Sequence, residues 1–417
     1  MSTADSKIQF KDGPHLDAFA RLRVSEPANQ FDSQMQYDLQ PLLWETVTSG
    51  SGTVTHLPNE GAARLRCSGA NNDVVIRQTY RYMRYRPGKS QMILMTGVMG
   101  AKKAGVIQRI GYFDNDNGLF FEQDQNNLKV VTRTKTSGAV VDHAVTQDTW
   151  NLDKLDGTGP STISIDMAKA NIFFMDFEWL GVGRVRFGFV INGIPVYCHE
   201  VLNANNTEHV YMTTANLPCR YEIRNVAATT QTDMLQICTT VMSEGGEAIT
   251  SGILRGVGNG TSTITVSTRR AILSIRPKLL FASAANRSLI IPENFSLYVD
   301  GTTDVYWEIV RGGTLGGTPV WNSVGDNSAV EFDVAGTTVA GGEVLATGYA
   351  AGGGGTGGGA NGVGGTASLN LAQFGLTSLP LHLNYAANSS TVLSLVVTAI
   401  AGGSAPSAGS FTWAEIR

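Results

Sequence analysis

NIFFMDFEWLGVGRVRFGFVINGIPVYCHEVL, residues 171–202, reads as three consecutive antiparallel strands. Phe173, Met175, Phe177 and Trp179 alternate with Phe174, Asp176 and Glu178. This is the period-2 signature of a strand with one buried face. Beyond a loop at residues 180–182, Val185, Phe187, Phe189 and Ile191 alternate with Arg184, Arg186 and Gly188. Folding the chain about Gly181 matches the two patterns. Phe177 faces Val185, Met175 faces Phe187 and Phe173 faces Phe189, while Glu178 meets Arg184 and Asp176 meets Arg186. Such cross-strand pairs contribute roughly 0.2–1 kcal/mol each, and a one-residue slip would lose them all. Asn192-Gly193 then supplies a two-residue hairpin of type I′, because both residues tolerate positive φ. The third strand returns Ile194, Val196 and Cys198 to the apolar face and sets Tyr197 and His199 outside.

Working outward, the rest of the chain repeats this character. Its 417 residues suggest two or three domains. With 48 glycines and only 16% charged residues, it points to turn-rich β architecture rather than helices. The expected fold is all-β, with two jelly-roll-like β-sandwich domains and an N-terminal arm. The expected boundaries are an arm over 1–45, a sandwich over 46–242, a linker over 243–260 and a second sandwich over 261–417. Within the second lies a glycine run at 348–365, eleven glycines in eighteen residues, expected as a long loop. In the arm, Leu16, Phe19 and Leu22 stand at near-helical spacing.

A net charge of −4 gives no general case for nucleic acid or an anionic membrane. Arg and Tyr interleave over residues 77–86, as in single-strand readers, but packed tyrosines with outward arginines explain the same pattern. No apolar run approaches the ~20 residues that span a bilayer, and no secretory signal is visible. Synthesis in a reducing cytoplasm is the expectation. Cys67, Cys198, Cys219 and Cys238 fit no metal spacing and read as buried free thiols.

Chemistry-bearing motifs are sparse. The six histidines show no paired metal spacing, and neither a nucleophile elbow nor a phosphate loop occurs. No cofactor is expected. Asp114 and Asp116 in a D-x-D-x-G run are the calcium candidates, although a hairpin with Asn117-Gly118 in its turn explains the same residues. Asp176, Glu178, Arg184, Arg186, Tyr197 and His199 form one polar cluster on the outer face of the meander. Cross-strand ion pairs on a solvated face account for it better than acid–base work, and no catalytic residue is assigned.

Between residues 312 and 416 there is no Lys or Arg. A monomer's surface normally mixes both signs of charge, so much of this half is expected to face other subunits. Phe19, Arg21, Leu22 and Arg23 in the arm, and Phe411 and Trp413 at the end, are the candidate assembly residues.

LDAFARLRVSEPANQFDSQ (16–34), DKLDGTG (153–159), FEWLGVGRVRFGFVING (177–193) and the terminal FTWAEIR together resemble virion structural proteins of tailed bacteriophages. The resemblance covers most of residues 16–225. The group also looks like concanavalin-type or laminin-G-type sandwiches. It implies a non-enzymatic tail, baseplate or appendage subunit of the virion, homo-oligomeric with a trimer favoured, docking on other virion proteins. The alternatives it implies are a carbohydrate- or receptor-binding module for a host surface glycan, and a capsid decoration protein. No catalytic residues come with it.

Overall fold

The computed structural model describes residues 16–18, 20–24, 26–245, 252–353, 365–371 and 379–417, and forms two compact units, residues 1–248 and 249–417. Both are built of antiparallel β-strands, and no α-helix occurs among the described residues.

The first unit contains fifteen strands: β1 Ala28–Gln34, β2 Trp44–Ser49, β3 Thr53–Leu57, β4 Ala62–Cys67, β5 Val74–Thr79, β6 Gln91–Val98, β7 Val106–Phe113, β8 Gly118–Gln123, β9 Leu128–Thr134, β10 Val141–Thr146, β11 Asn171–Phe177, β12 Val185–Ile191, β13 Ile194–Val201, β14 Cys219–Asn225 and β15 Thr232–Ser243. One sheet runs β13-β12-β11-β6-β15-β4-β3, with β1 also on β15; the other runs β10-β9-β8-β7-β14-β5-β2. Alternate residues of both sheets meet in a shared core that includes Ile93, Tyr112, Phe121, Phe173, Phe187 and Tyr221. This is sandwich packing, in which each strand gives every second side chain to the interior.

The meander has the expected register. Phe173 pairs with Phe189, Met175 with Phe187, Asp176 with Arg186 and Phe177 with Val185. Asn192 and Gly193 take φ values of 52° and 78°, which a type I′ turn requires. One difference appears on β13. A bulge between Phe187 and Gly188 sets Phe187 opposite His199 and Gly188 opposite Tyr197. The extra residue reverses the alternation, so Cys198 and His199 are both buried and only Tyr197 keeps the outer side.

The domain boundaries shift as well. Strand β1 and the start of β2 belong to the first sandwich, not to an arm. Ile253–Gly258, expected in a linker, pairs with the strand Ala405–Ile416 of the second unit. The described residues of the arm hold no helix. Leu16 bridges to Leu22, and Asp17 and Arg21 close a turn through backbone and side-chain bonds. Leu16, Asp17 and Ala18 are buried on the first sandwich, whereas Leu22 is exposed.

The second unit repeats the plan. Ile253–Gly258, Ala405–Ile416, Leu289–Val299 and Gly365–Asn370 make one sheet, with Ile264–Val266 also on Ala405–Ile416. Asn322–Ser323, Val330–Asp333, Arg270–Pro277, Leu393–Ala399, Val305–Arg311 and Glu343–Ala350 make the other. Phe411 and Trp413 are fully buried in the core between them, beside Phe295 and Ile309. That corrects their assignment as assembly residues: the alternation of the last strand points both inward. Most of the glycine run, residues 354–364, lies outside the described residues.

Candidate functional site

The polar face of the meander is the most connected cluster in the first unit, and it is not solvated. Asp176 and Arg186 are both fully buried and pair at 2.5 Å. The second Asp176 oxygen accepts from Ser90 at 2.9 Å, and the first also takes Arg23 at 2.6 Å and the Tyr197 hydroxyl at 3.2 Å. The Arg186 guanidinium lies 4.4 Å from the centre of the Tyr197 ring. The arm forms the lid. Arg186 donates to the Leu16 carbonyl at 3.0 Å, Arg184 to the Ala18 carbonyl at 3.1 Å, and Arg23 also pairs with Glu244. The expectation of exposed ion pairs is therefore corrected, because residues 16–24 cover the face and complete its hydrogen bonds.

This burial decides what the cluster can do. Every carboxylate oxygen of Asp176 is held by donors, which leaves none for a substrate proton. Glu178 accepts the Arg184 amide at 3.2 Å, and burial raises its carboxyl above the ordinary value. His199, placed inward by the bulge, accepts the Asn151 amide at Nδ1, and burial lowers its pKa.

Of the arm residues singled out as assembly candidates, Arg23 is used internally. Arg21 pairs with Asp17 and also donates to the Gly88 carbonyl, with its side chain half exposed. Leu22 remains at the surface. Phe19 lies outside the described residues.

Asp114 and Asp116 sit in the four-residue β7–β8 connection. Asp114 Oδ1 accepts the amides of Asp116 and Asn117 at 2.8 Å each, and Asp116 pairs with Lys135 at 2.9 Å. The hairpin is as expected, but Gly118 belongs to β8 opposite Phe113. No group of three metal-ligating side chains occurs among the described residues. In the Arg/Tyr stretch, Tyr82, Met83 and Tyr85 are buried, Arg77 is fully buried and Arg81, Arg84 and Arg86 are half-buried, so the rings pack within the fold rather than standing free for bases. Cys67, Cys198 and Cys219 are buried free thiols, and burial pushes Cys67 up to about 12; Cys238 is exposed.

Two features escaped the sequence reading. On the second sheet, Arg109 bridges Glu122 at 2.8 Å and Glu222 at 2.9 Å, above a small cluster of Phe113, Phe120 and Val131. Burial would raise Glu222, but Arg109, Arg220 and Arg224 outweigh it and hold its carboxyl below the ordinary value. The signal was present as Arg220, Glu222 and Arg224 at alternate positions of β14 and as a single charge in each of β7 and β8, yet that pattern does not say which strands are neighbours. The other is a groove of about 550 Å³ between the end strands β10 and β13. Val130, Thr132, Thr134, His143 and Val145 line one side, and Phe187, His199, Val201 and Tyr211 the other.

No protein-family model and no curated protein matches this chain. Solved structures do. A glycosyl hydrolase family protein from Mycobacterium fortuitum matches at 10% identity and a TM-score of 0.36, covering 51% of this chain and 99% of its own. A chain described under endo-acting O-glycanases of the human gut microbiota matches at 14% identity and 0.38, covering 52% and 99%. An apo Crh5 transglycosylase matches at 14% and 0.30, covering 53% and 88%. The expectation of a chain without enzymatic activity is withdrawn against these matches, which are named as glycosyl hydrolases, O-glycanases and a transglycosylase; at these scores they assign no activity to this chain.

Proposed function

We propose that the chain is a structural subunit of a tailed-bacteriophage virion, in the tail, baseplate or an appendage. The observation that carries this reading is where the virion-like stretches meet. LDAFARLR and FEWLGVGRVRFGF lie about 150 residues apart, yet they meet in the fold: Arg184 and Arg186 donate to the carbonyls of Ala18 and Leu16, and Arg23 pairs with Asp176, the residue just before the second stretch. The stretches that carry the resemblance thus depend on one another physically. The reading also fits the second unit's surface, which lacks basic side chains over residues 312–416 and suits coverage by other subunits.

The test is mass spectrometry of density-purified phage particles produced from the genome that encodes this chain. Peptides of the chain at a copy number comparable to known tail components are the expected result. Their absence from infectious particles would overturn it.

A further inference from the structure

A recess in the second unit has the chemistry of a sugar site. It measures about 440 Å³, within the range of small-ligand pockets, and lies between the ends of strands Arg270–Pro277 and Leu393–Ala399 and the segment 312–321. Its wall holds a stacked pair: the Arg276 guanidinium sits 3.9 Å from the centre of the Trp321 ring. Arg276 is fixed from behind by Glu331, which accepts from its Nε at 2.6 Å. The guanidinium is planar, so one anchored nitrogen sets the direction of the other two. Those two terminal nitrogens have no hydrogen-bond partner among the described residues, and neither has the Trp321 indole N–H.

The opposite wall comes from the loop at 388–390. Asn384 shapes it: its Oδ1 accepts the amides of Asn388 and Ser389 at 3.0 and 3.1 Å, and its Nδ2 donates to Asn388 Oδ1 at 2.7 Å. The loop delivers Ser390 to the recess with its hydroxyl buried and unpartnered. A buried hydroxyl without a partner is destabilising, and a turn of the side chain towards a ligand oxygen in the recess would give it one. Gly312 and Gly313 also line it, and beside Gly312 the backbone is open to close approach.

We infer that this recess binds a carbohydrate residue of a surface polysaccharide. A half-buried indole offers its face to the C–H side of a sugar ring, while Arg276, Ser390 and the indole N–H offer hydrogen bonds to oxygens around the ring's rim. The donors outnumber the acceptors, and that suits a ligand rich in hydroxyl or carboxylate oxygens. The inference rests on the geometry of the second unit alone, so it stands or falls apart from the virion reading.

The experiment is binding of the full chain to an array of bacterial capsular and O-antigen oligosaccharides, followed by titration of the best ligand against tryptophan fluorescence. Binding is expected to at least one glycan, weakened tenfold or more by Trp321→Ala and severalfold by Ser390→Ala. Trp321→Phe, which keeps a ring but loses the N–H, falls between. Melting curves of the three variants should match the parent, and Ser390→Ala serves if a Trp321 variant does not fold. Binding to uronic-acid glycans alone places a carboxylate on Arg276; binding to neutral glycans as well places ring hydroxyls there. No binding to any glycan on the array, or binding that survives both Trp321→Ala and Ser390→Ala, overturns the inference.

Discussion

Arg23 and Asp176 stand 153 positions apart in the chain and meet at 2.6 Å under a surface from which Asp176 is completely excluded. Three cationic or hydroxyl donors besides Arg23 converge on that carboxylate: Arg186, Tyr197 and Ser90. The network is what ties the segment 16–24 to the first sandwich.

Asp176→Ala removes the carboxylate that Arg23 and Arg186 share, and Arg23 has a second acid, Glu244. Breaking a buried pair typically costs about 3–5 kcal/mol, because the surviving charge stays uncompensated. Denaturant unfolding of the first unit should therefore shift by that amount, and limited proteolysis should cut before residue 28 in the variant but not in the parent. A loss below about 1 kcal/mol would mean that the face is solvated after all.

Phe187→Ala should be comparably severe. The side chain is fully buried, meets Phe121 edge-on at 5.6 Å between ring centres and pairs with Met175 across the meander. Truncating a buried Phe costs about 3–5 kcal/mol. Calorimetry that finds a shift of only a degree or two would contradict this packing.

His382 predicts an acid sensitivity of the second unit. Burial, and then the charges of Arg311 and Arg287, lower its pKa from 6.5 to about 3, and its Nε2 lies 2.8 Å from an Arg311 nitrogen. Between those two pH values the unfolded chain binds a proton that the folded chain refuses. Stability from this group is thus complete above 6.5 and falls as the pH drops towards 3, by about 1.4 kcal/mol per pH unit for one proton. Urea unfolding of the second unit at pH 7, 5 and 4 should show a slope that is about one proton shallower in His382→Gln. Equal slopes in the two proteins would remove His382 as the cause.

Self-assembly should involve the strand Glu343–Ala350. It ends its sheet, and Val344 and Tyr349 stand 47% and 74% exposed on it. An unpaired edge with apolar side chains and no lysine lacks the usual protection against pairing. Light scattering should find a cyclic homo-oligomer, a trimer being favoured, and Val344→Lys with Tyr349→Lys should return it to monomer. A monodisperse parent monomer at micromolar concentration would leave docking on a different protein.

The meander was legible because everything that defines it is local. Phe173 to Phe177 and Val185 to Phe189 fix each other's register through period-2 alternation, and Asn192-Gly193 fixes the turn. The all-β class followed from the same periodicity and from glycine punctuation. The bulge opposite Phe187 was not legible, since one extra residue in a strand leaves no compositional mark, and it reversed the side on which His199 lies.

Sequence by itself therefore determined the β class, the register of β11 against β12 and the inward faces of those two strands, all of which depend on residues within a few positions of each other. Tertiary structure alone decided that residues 16–24 cover Asp176, that Glu122 and Glu222 share Arg109, and that Trp321 meets Arg276 across 45 positions beside Ser390. Those outcomes depend on which strands become neighbours, and alternation, which is the same in every exposed strand, carries no information about that choice.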